Sequence, residues 1–150
     1  MLSNLIKCLV NIQNGSNGFV GDTVVPRTFV NSVVLDMLVD HGYISFYFSN
    51  SPHTYRVAMK YTNTGQSSLK KFHIVSTPSR RVFMTYEEIA KRFSGNQGLV
   101  VISTSHSYPK EFSSHLVGSF SFTSRRLTGL LSHKEVIHRR IGGEILFAAH

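Results

Sequence analysis

Apolar residues along the chain change period several times, and each change marks an element. Leu5, Ile6, Leu9 and Val10 recur at helical spacing behind Ser3, which reads as an N-cap, and Asn14-Gly15 supplies a turn and C-cap. The glycine-rich stretch Ser16-Asn17-Gly18-Phe19-Val20-Gly21 then reads as a loop. Pro26 and Thr28 open a second helix, in which Val30, Val33, Val34, Met37 and Leu38 follow the i, i+3, i+4, i+7, i+8 pattern and Gly42 marks the end. Its valines cost only some tenths of a kcal/mol each, which a buried stripe outweighs.

From Tyr43 the period drops to two. Tyr43 to Phe48 is aromatic and β-branched, Asn50-Ser51-Pro52 is a turn, and Tyr55, Val57, Met59 and Tyr61 alternate with Arg56, Ala58 and Lys60. This pattern predicts a hairpin with one buried face, closed by Asn63-Thr64-Gly65. The polar stretch through Ser68 marks a boundary between domains 1–68 and 69–150. Beyond it, Lys71 to Val75 and Arg81 to Met84 read as short strands around Ser76-Thr77-Pro78-Ser79. Thr85 and Glu88 form a capping box for a helix through Phe93, and Ser94 to Gly98 delivers the buried strand Leu99 to Ile102. Periodicity fades from His106 to about Thr128, apart from the alternation Ser119-Phe120-Ser121-Phe122. Ser132 and Glu135 form a second capping box for a short basic helix, and Ile145 to Ala149 reads as a final strand. The fold class expected is α+β with two small domains. The N-terminal one is of helix-strand-helix-hairpin type, and the C-terminal one is a small sheet with short helices.

Composition then narrows the partner. Sixteen Lys plus Arg face eight Asp plus Glu, a net charge of +8 on 150 residues, so the expected partner is polyanionic: RNA, DNA or an anionic membrane. The apolar runs are short and no basic amphipathic helix of useful length occurs, which leaves membrane as the least supported. With Cys8 as the single cysteine, the chain has no internal disulfide and no multi-cysteine zinc site, and a reducing or neutral compartment fits. Cys8 lies on an apolar helix face and reads as core packing. A helix beginning at Ser3 leaves no room for a signal peptide before it, so targeting information is expected to be internal, already removed or unnecessary.

Two motifs carry the candidate chemistry: Ser103-Thr104-Ser105 after Leu99 to Ile102, and Gly142-Gly143-Glu144 before Ile145-Leu146-Phe147. Uncharged hydroxyls that donate and accept, together with bare glycine backbone, suit reading the edges and shape of folded RNA. The plainer readings are a strand ending in small polar residues and a bulge before the last strand. A carboxylate facing RNA is repelled unless it accepts from base amino or imino groups, so Glu144 either reads a base or pairs with Arg139 or Arg140. The basic pairs Lys70-Lys71, Arg80-Arg81, Lys91-Arg92, Arg125-Arg126 and Arg139-Arg140 suggest a broad phosphate footprint. Eight histidines form no metal-ligand spacing, and no cofactor is expected. Ser103 with His106 as a hydrolase nucleophile and base lacks a carboxylate orienter and a nucleophile elbow.

In this order, the chain resembles the universal family of small-subunit ribosomal protein number eight. The resemblance rests on Val25-Pro26 through Gly42-Tyr43-Ile44, on Val75-Ser76-Thr77-Pro78-Ser79-Arg80-Arg81-Val82-Phe83, on the Ser-Thr-Ser and Gly-Gly-Glu motifs, and on Gly129-Leu130-Leu131-Ser132-His133-Lys134-Glu135. The missing catalytic geometry already argues against enzymatic activity, and no small-molecule substrate is expected. The resemblance implies a protein that binds the central domain of small-subunit rRNA, aids its assembly and contacts neighbouring small-subunit proteins. The expected site is Ser103, Thr104, Ser105, Gly142, Gly143 and Glu144, with Arg80, Arg81, Lys134, Arg139 and Arg140 around it. A competing reading is a free translational regulator that recognises an mRNA mimic of the rRNA site.

Departures from the family pattern carry information too. His106 to about Thr128 reads as an insertion, expected to form a surface loop or hairpin contacting an additional protein or rRNA segment. Asn11 and Gln13 stand where the family's first helix carries arginines, Phe29 replaces a commonly basic residue, and Phe83 stands where tyrosine is usual. This erosion points to an organellar ribosome, with the mitochondrial matrix ahead of a plastid or the bacterial cytoplasm.

Overall fold

Helix α1 (Leu2–Asn17) buries Leu5, Cys8, Leu9, Ile12, Gly15 and Ser16, a stripe at i, i+3, i+4, i+7. The structure is a computed structural model that describes residues 2–105 and 129–150. The expectations for His106 to Thr128 lie outside the described residues. The helix starts at Leu2, so Ser3 is not its cap, and Val10 is 43% exposed rather than part of the buried stripe. Nor does it stop at Asn14-Gly15. A Cβ on Gly15 would lie 3.3 Å from Thr23 Cβ, so this glycine serves close packing and not chain reversal. The helix ends where the Phe19 N–H donates to Ser16 O (3.3 Å) and the Val20 N–H to Gly15 O (3.1 Å), with Phe19 left-handed at φ 53°.

Burial pushes the Cys8 thiol up to about 12, in keeping with a packing role.

Strands β1 (Asp22–Pro26), β2 (Ile44–Ser51) and β3 (Thr54–Met59) form an antiparallel sheet in the order β1-β3-β2. Thr23, buried Val57 and Tyr47 lie in register across it. Helix α2 (Phe29–Asp40) starts at Thr28, whose Oγ1 accepts from the Asn31 N–H at 3.1 Å as its sequence predicts. The Tyr47 hydroxyl donates to the Asp36 carboxylate of α2 at 2.6 Å, and burial followed by this bond raises the phenol's pKa. The outer face of the sheet keeps Phe46 and Phe48 exposed.

The remaining elements are β4 (Phe72–Ile74), β5 (Phe83–Met84), α3 (Tyr86–Phe93), β6 (Leu99–Ser103), β7 (Leu130–Ser132), α4 (His133–Arg139) and β8 (Gly143–Ala149). Their sheet runs β4-β8-β6-β7, with β5 also pairing with β8. Both capping boxes form: the Thr85 N–H donates to the Glu88 carboxylate at 2.8 Å, and the Ser132 N–H to that of Glu135 at 3.0 Å. Bonds from Thr85 hold the Glu88 carboxyl below its ordinary pKa. Strand β7 has no counterpart in the sequence reading. Only three residues long, it exists through pairing with β6, where Leu130, Leu131 and Ser132 face Ser103, Ile102 and Val101. Ile89, Val100, Ile102, Leu131, Val136 and Ile145 form the core here.

The chain divides into two compact units, 1–73 with 149–150 and 74–148, so the division falls after the polar stretch ending at Ser68. Side-chain bonds keep the intervening residues with the first unit. Ser16 Oγ donates to Leu69 O at 2.8 Å, and Gln13 donates to Lys70 O and accepts from the Phe72 N–H.

Native Cys8 should resist alkylation at pH 8, reacting at least about a thousandfold more slowly than in denaturant, because labelling requires opening of the α1 core. A thiol-labelling time course with and without guanidinium measures this.

Candidate nucleic-acid interface

Strand β6 ends in Ser103, and the three residues of the hydroxyl motif have different fates. Ser103 is half-buried and Ser105 exposed, whereas Thr104 is buried. The Thr104 hydroxyl donates to Gly129 O at 2.8 Å, and its N–H donates to the same oxygen at 2.9 Å. Thr104 therefore fastens the chain where it re-enters at Gly129, and its hydroxyl is committed internally. Gly129 is left-handed at φ 66°, and a Cβ there would strike Thr104 O.

The second motif packs directly against the first. A Cβ on Gly143 would collide with Ser103 O and lie 2.9 Å from Ile102 Cγ2, and one on Gly142 would lie 2.8 Å from Met84 O. Close backbone approach does explain these glycines, but the approach is to the protein's own β5 and β6. Gly142 itself remains exposed.

Across β5 and β8, Phe83 faces Glu144 and Met84 faces Gly143. Glu144 is buried, and its Oε1 has no hydrogen-bond partner among the described residues. Among the described residues the cation within 4 Å is Arg81, whose Nε lies 3.9 Å away. Of the two alternatives for Glu144, base reading or pairing with Arg139 or Arg140, the second takes a different form: the ion pair is with Arg81, brought close because Phe83, two residues on, is the cross-strand partner of Glu144. At 3.9 Å the contact is an ion pair without a hydrogen bond, so desolvation of the oxygen is incompletely compensated, a cost of about 1–3 kcal/mol. A donor arriving at Glu144 would recover part of it.

Arg80 and Arg81 sit on a turn closed by reciprocal backbone bonds between Thr77 and Arg80. Ser76, which the sequence places in the turn and in the family-like stretch but not in the expected site, anchors this turn. Its buried hydroxyl donates to Ile145 O at 2.5 Å and accepts from the Val82 N–H at 3.0 Å. The signal for it, a serine just before a proline-containing turn, is too common to stand out. Phe83, at 67% exposure, is a second residue beside the motif that the reading passed over as a site. With Met84, Glu88, Lys91 and Arg92 it lines an open cleft of about 530 Å³.

Helix α4 carries the remaining cations. Lys134 is exposed in its first turn, Arg139 is half-buried with its pKa lowered by burial, and Arg140 follows the helix in a left-handed conformation at φ 55°. The Arg140 N–H donates to Ile137 O, and the Ile141 N–H to Val136 O. The structure thus brings Ser103, Gly142, Gly143, Glu144 and Arg81 together. Arg80 adjoins Arg81 along the chain, Arg139 and Arg140 lead into Gly142, and Lys134 stands at the far end of α4. Among the described residues no cluster of His, Cys, Asp and Glu is placed to hold a metal, and no helix is long and apolar enough to cross a membrane.

A sequence model of the family described as ribosomal protein S8 matches residues 3–110. The small ribosomal subunit protein uS8 of Chlorobaculum tepidum is 29% identical over 142 residues, covering 93% of this chain and 90% of that protein. The protein of the same name from Rickettsia rickettsii (strain Iowa) is 26% identical over 149 residues, with 97% and 96% covered. That of Rickettsia canadensis is 27% identical over 150 residues.

Replacing Gly143 with Ala should destabilise the protein by about 1–3 kcal/mol, because backbone atoms of β6 must move. Arg140→Gly should instead stabilise it by up to about 1 kcal/mol by relieving the left-handed arginine. Chemical denaturation of the two variants beside the parent tests both signs.

Proposed function

The chain belongs to the ribosomal protein S8 family, and from that premise we propose that it is a structural constituent of the small ribosomal subunit that binds the central domain of small-subunit rRNA and helps it assemble. The family is one of ribosomal proteins and not of enzymes. The observation that carries the RNA reading is the meeting of Ser103, the Gly142-Gly143 backbone and the buried Glu144 beside Arg81 on a chain of net charge +8. Ser103 and Ser105 offer hydroxyls to base edges and 2′-hydroxyls, Glu144 accepts from a base donor, and Arg80, Arg81, Lys134, Arg139 and Arg140 meet phosphates. Thr104 contributes by fixing the geometry of its neighbours. In this reading specificity resides in the C-terminal domain, while the N-terminal domain docks to rRNA and to neighbouring small-subunit proteins.

Two residues of α1 support a reduced phosphate role for the N-terminal part. Asn11, where the family pattern expects arginine, donates to Val24 O at 3.1 Å, and Gln13 bridges Lys70 and Phe72. These amides serve the protein's own fold. Together with the segment from His106 to Thr128, they favour a ribosome of the mitochondrial matrix, even though the Chlorobaculum and Rickettsia relatives are bacterial. Cosedimentation of nearly all the protein with small subunits in a mitochondrial fraction supports this reading, whereas a large free pool would favour the translational regulator.

The central test is binding of the purified protein to its own central-domain rRNA stem and to a scrambled duplex across salt. With about five phosphate contacts, log affinity should fall against log salt with a slope of about −4 to −5. Ser103→Ala/Ser105→Ala should lower affinity for the stem by about tenfold or more, as two lost hydrogen bonds imply, and leave the scrambled duplex unaffected. Equal binding to both RNAs by the parent protein would refute a specificity site here.

A further inference from the structure

Away from the two motifs, the first unit holds an open cleft of about 490 Å³ whose lining includes Asn17, Phe19, Gln66, Leu69 and Lys70. Phe19 is unusual twice over. It is left-handed at φ 53°, a conformation that disfavours bulky L-residues, and it is 70% exposed. The hydrogen bonds that end α1 at this point would form as well with glycine, and a glycine, Gly18, stands one position earlier. Neither the helix ending nor burial therefore accounts for phenylalanine at this position, and strain of this kind is a pointer to function.

The surroundings give the ring a use. Tyr61 stacks on Phe19 with centroids 6.3 Å apart and planes at 26°, and the Tyr61 hydroxyl is fixed by donating to Val20 O at 2.6 Å. The Asn17 side-chain oxygen accepts from Gln13 at 3.0 Å, which orients the amide and leaves its NH2 group to donate elsewhere. Gln66 supplies a second amide and Lys70 a cation, and no Asp or Glu lines the cleft among the described residues. An aromatic plate, two amides that can read a base edge, and a positive charge match the chemistry of a single nucleotide.

We infer that this cleft binds one unpaired nucleotide of RNA, its base stacked on Phe19, its edge met by Asn17 and Gln66, and its phosphate turned toward Lys70. The inference rests on the protein's binding RNA and is independent of the C-terminal motifs.

The test is fluorescence anisotropy with two probes, a labelled oligoadenylate of about ten nucleotides and the central-domain rRNA stem, compared at one salt concentration and then titrated across salt. The proteins are the full chain, Phe19→Gly, Phe19→Tyr and Lys70→Gln. Phe19→Gly should weaken the single strand at least about fivefold, the loss of one stacked base, whereas Phe19→Tyr should stay within about twofold. Lys70→Gln should lower the salt slope for the single strand. Phe19→Gly should also melt higher than the parent, which separates lost binding from lost folding, and its affinity for the stem should be unchanged. Unaltered single-strand binding by Phe19→Gly, or no single-strand binding by the parent, would overturn the inference while stem binding leaves the C-terminal reading intact. A parallel loss on both probes would make Phe19 a structural residue and overturn it equally.

Discussion

The approach of the Gly143 backbone to the carbonyl of Ser103 sets the spacing on which the C-terminal site depends. Neighbouring strands lie about 4.8 Å apart, and a side chain projecting into that contact would force the strands to separate. Several other relations at the site are indexed to β8. Phe83 and Met84 take their places from cross-strand pairing with Glu144 and Gly143, and Ser76 ties the Arg80-Arg81 turn to Ile145 of the same strand. A pair of glycines that looks like a bend or an exposed ribbon is thus a tolerance between strands.

Elements defined by local chemistry were legible in the sequence. Helix α2 showed its period and its Thr28 cap, and the Thr85/Glu88 and Ser132/Glu135 boxes need nothing beyond four consecutive residues. The buried run of β6 was also plain. What escaped the sequence depends on partners far along the chain. Gly15 reads as a stop until Thr23 is placed against it, and Leu130 to Ser132 reads as a helix lead-in until β6 supplies its pairing. Arg139 and Arg140 are the cations close to Glu144 in sequence, whereas Arg81 reaches it only because β5, two residues further on, pairs with β8.

Within one three-residue motif, the structure separates scaffolding from display. Thr104 commits its N–H and its hydroxyl to a single carbonyl, while the serines on either side remain half-buried or exposed. A buried hydroxyl must be satisfied, and this one is, so it holds the flanking hydroxyls in place without leaving a polar group unpaired. The same division appears in α1, where Asn11 and Gln13 bind backbone groups of their own unit. Polar side chains here thus divide into those committed to the fold and those left at the surface, residue by residue.

Because Ser103 pairs with Leu130 and Thr104 grips Gly129, the two ends of the intervening segment are held at adjacent points. Whatever number of residues lies between them, their closure is already provided by the strand pair. The entropic penalty for lengthening such an excursion grows only logarithmically, about 0.6 kcal/mol for each doubling. A connection between β6 and β7 can therefore differ in length at small cost, with the strands that carry the hydroxyl motif held in register by their own pairing.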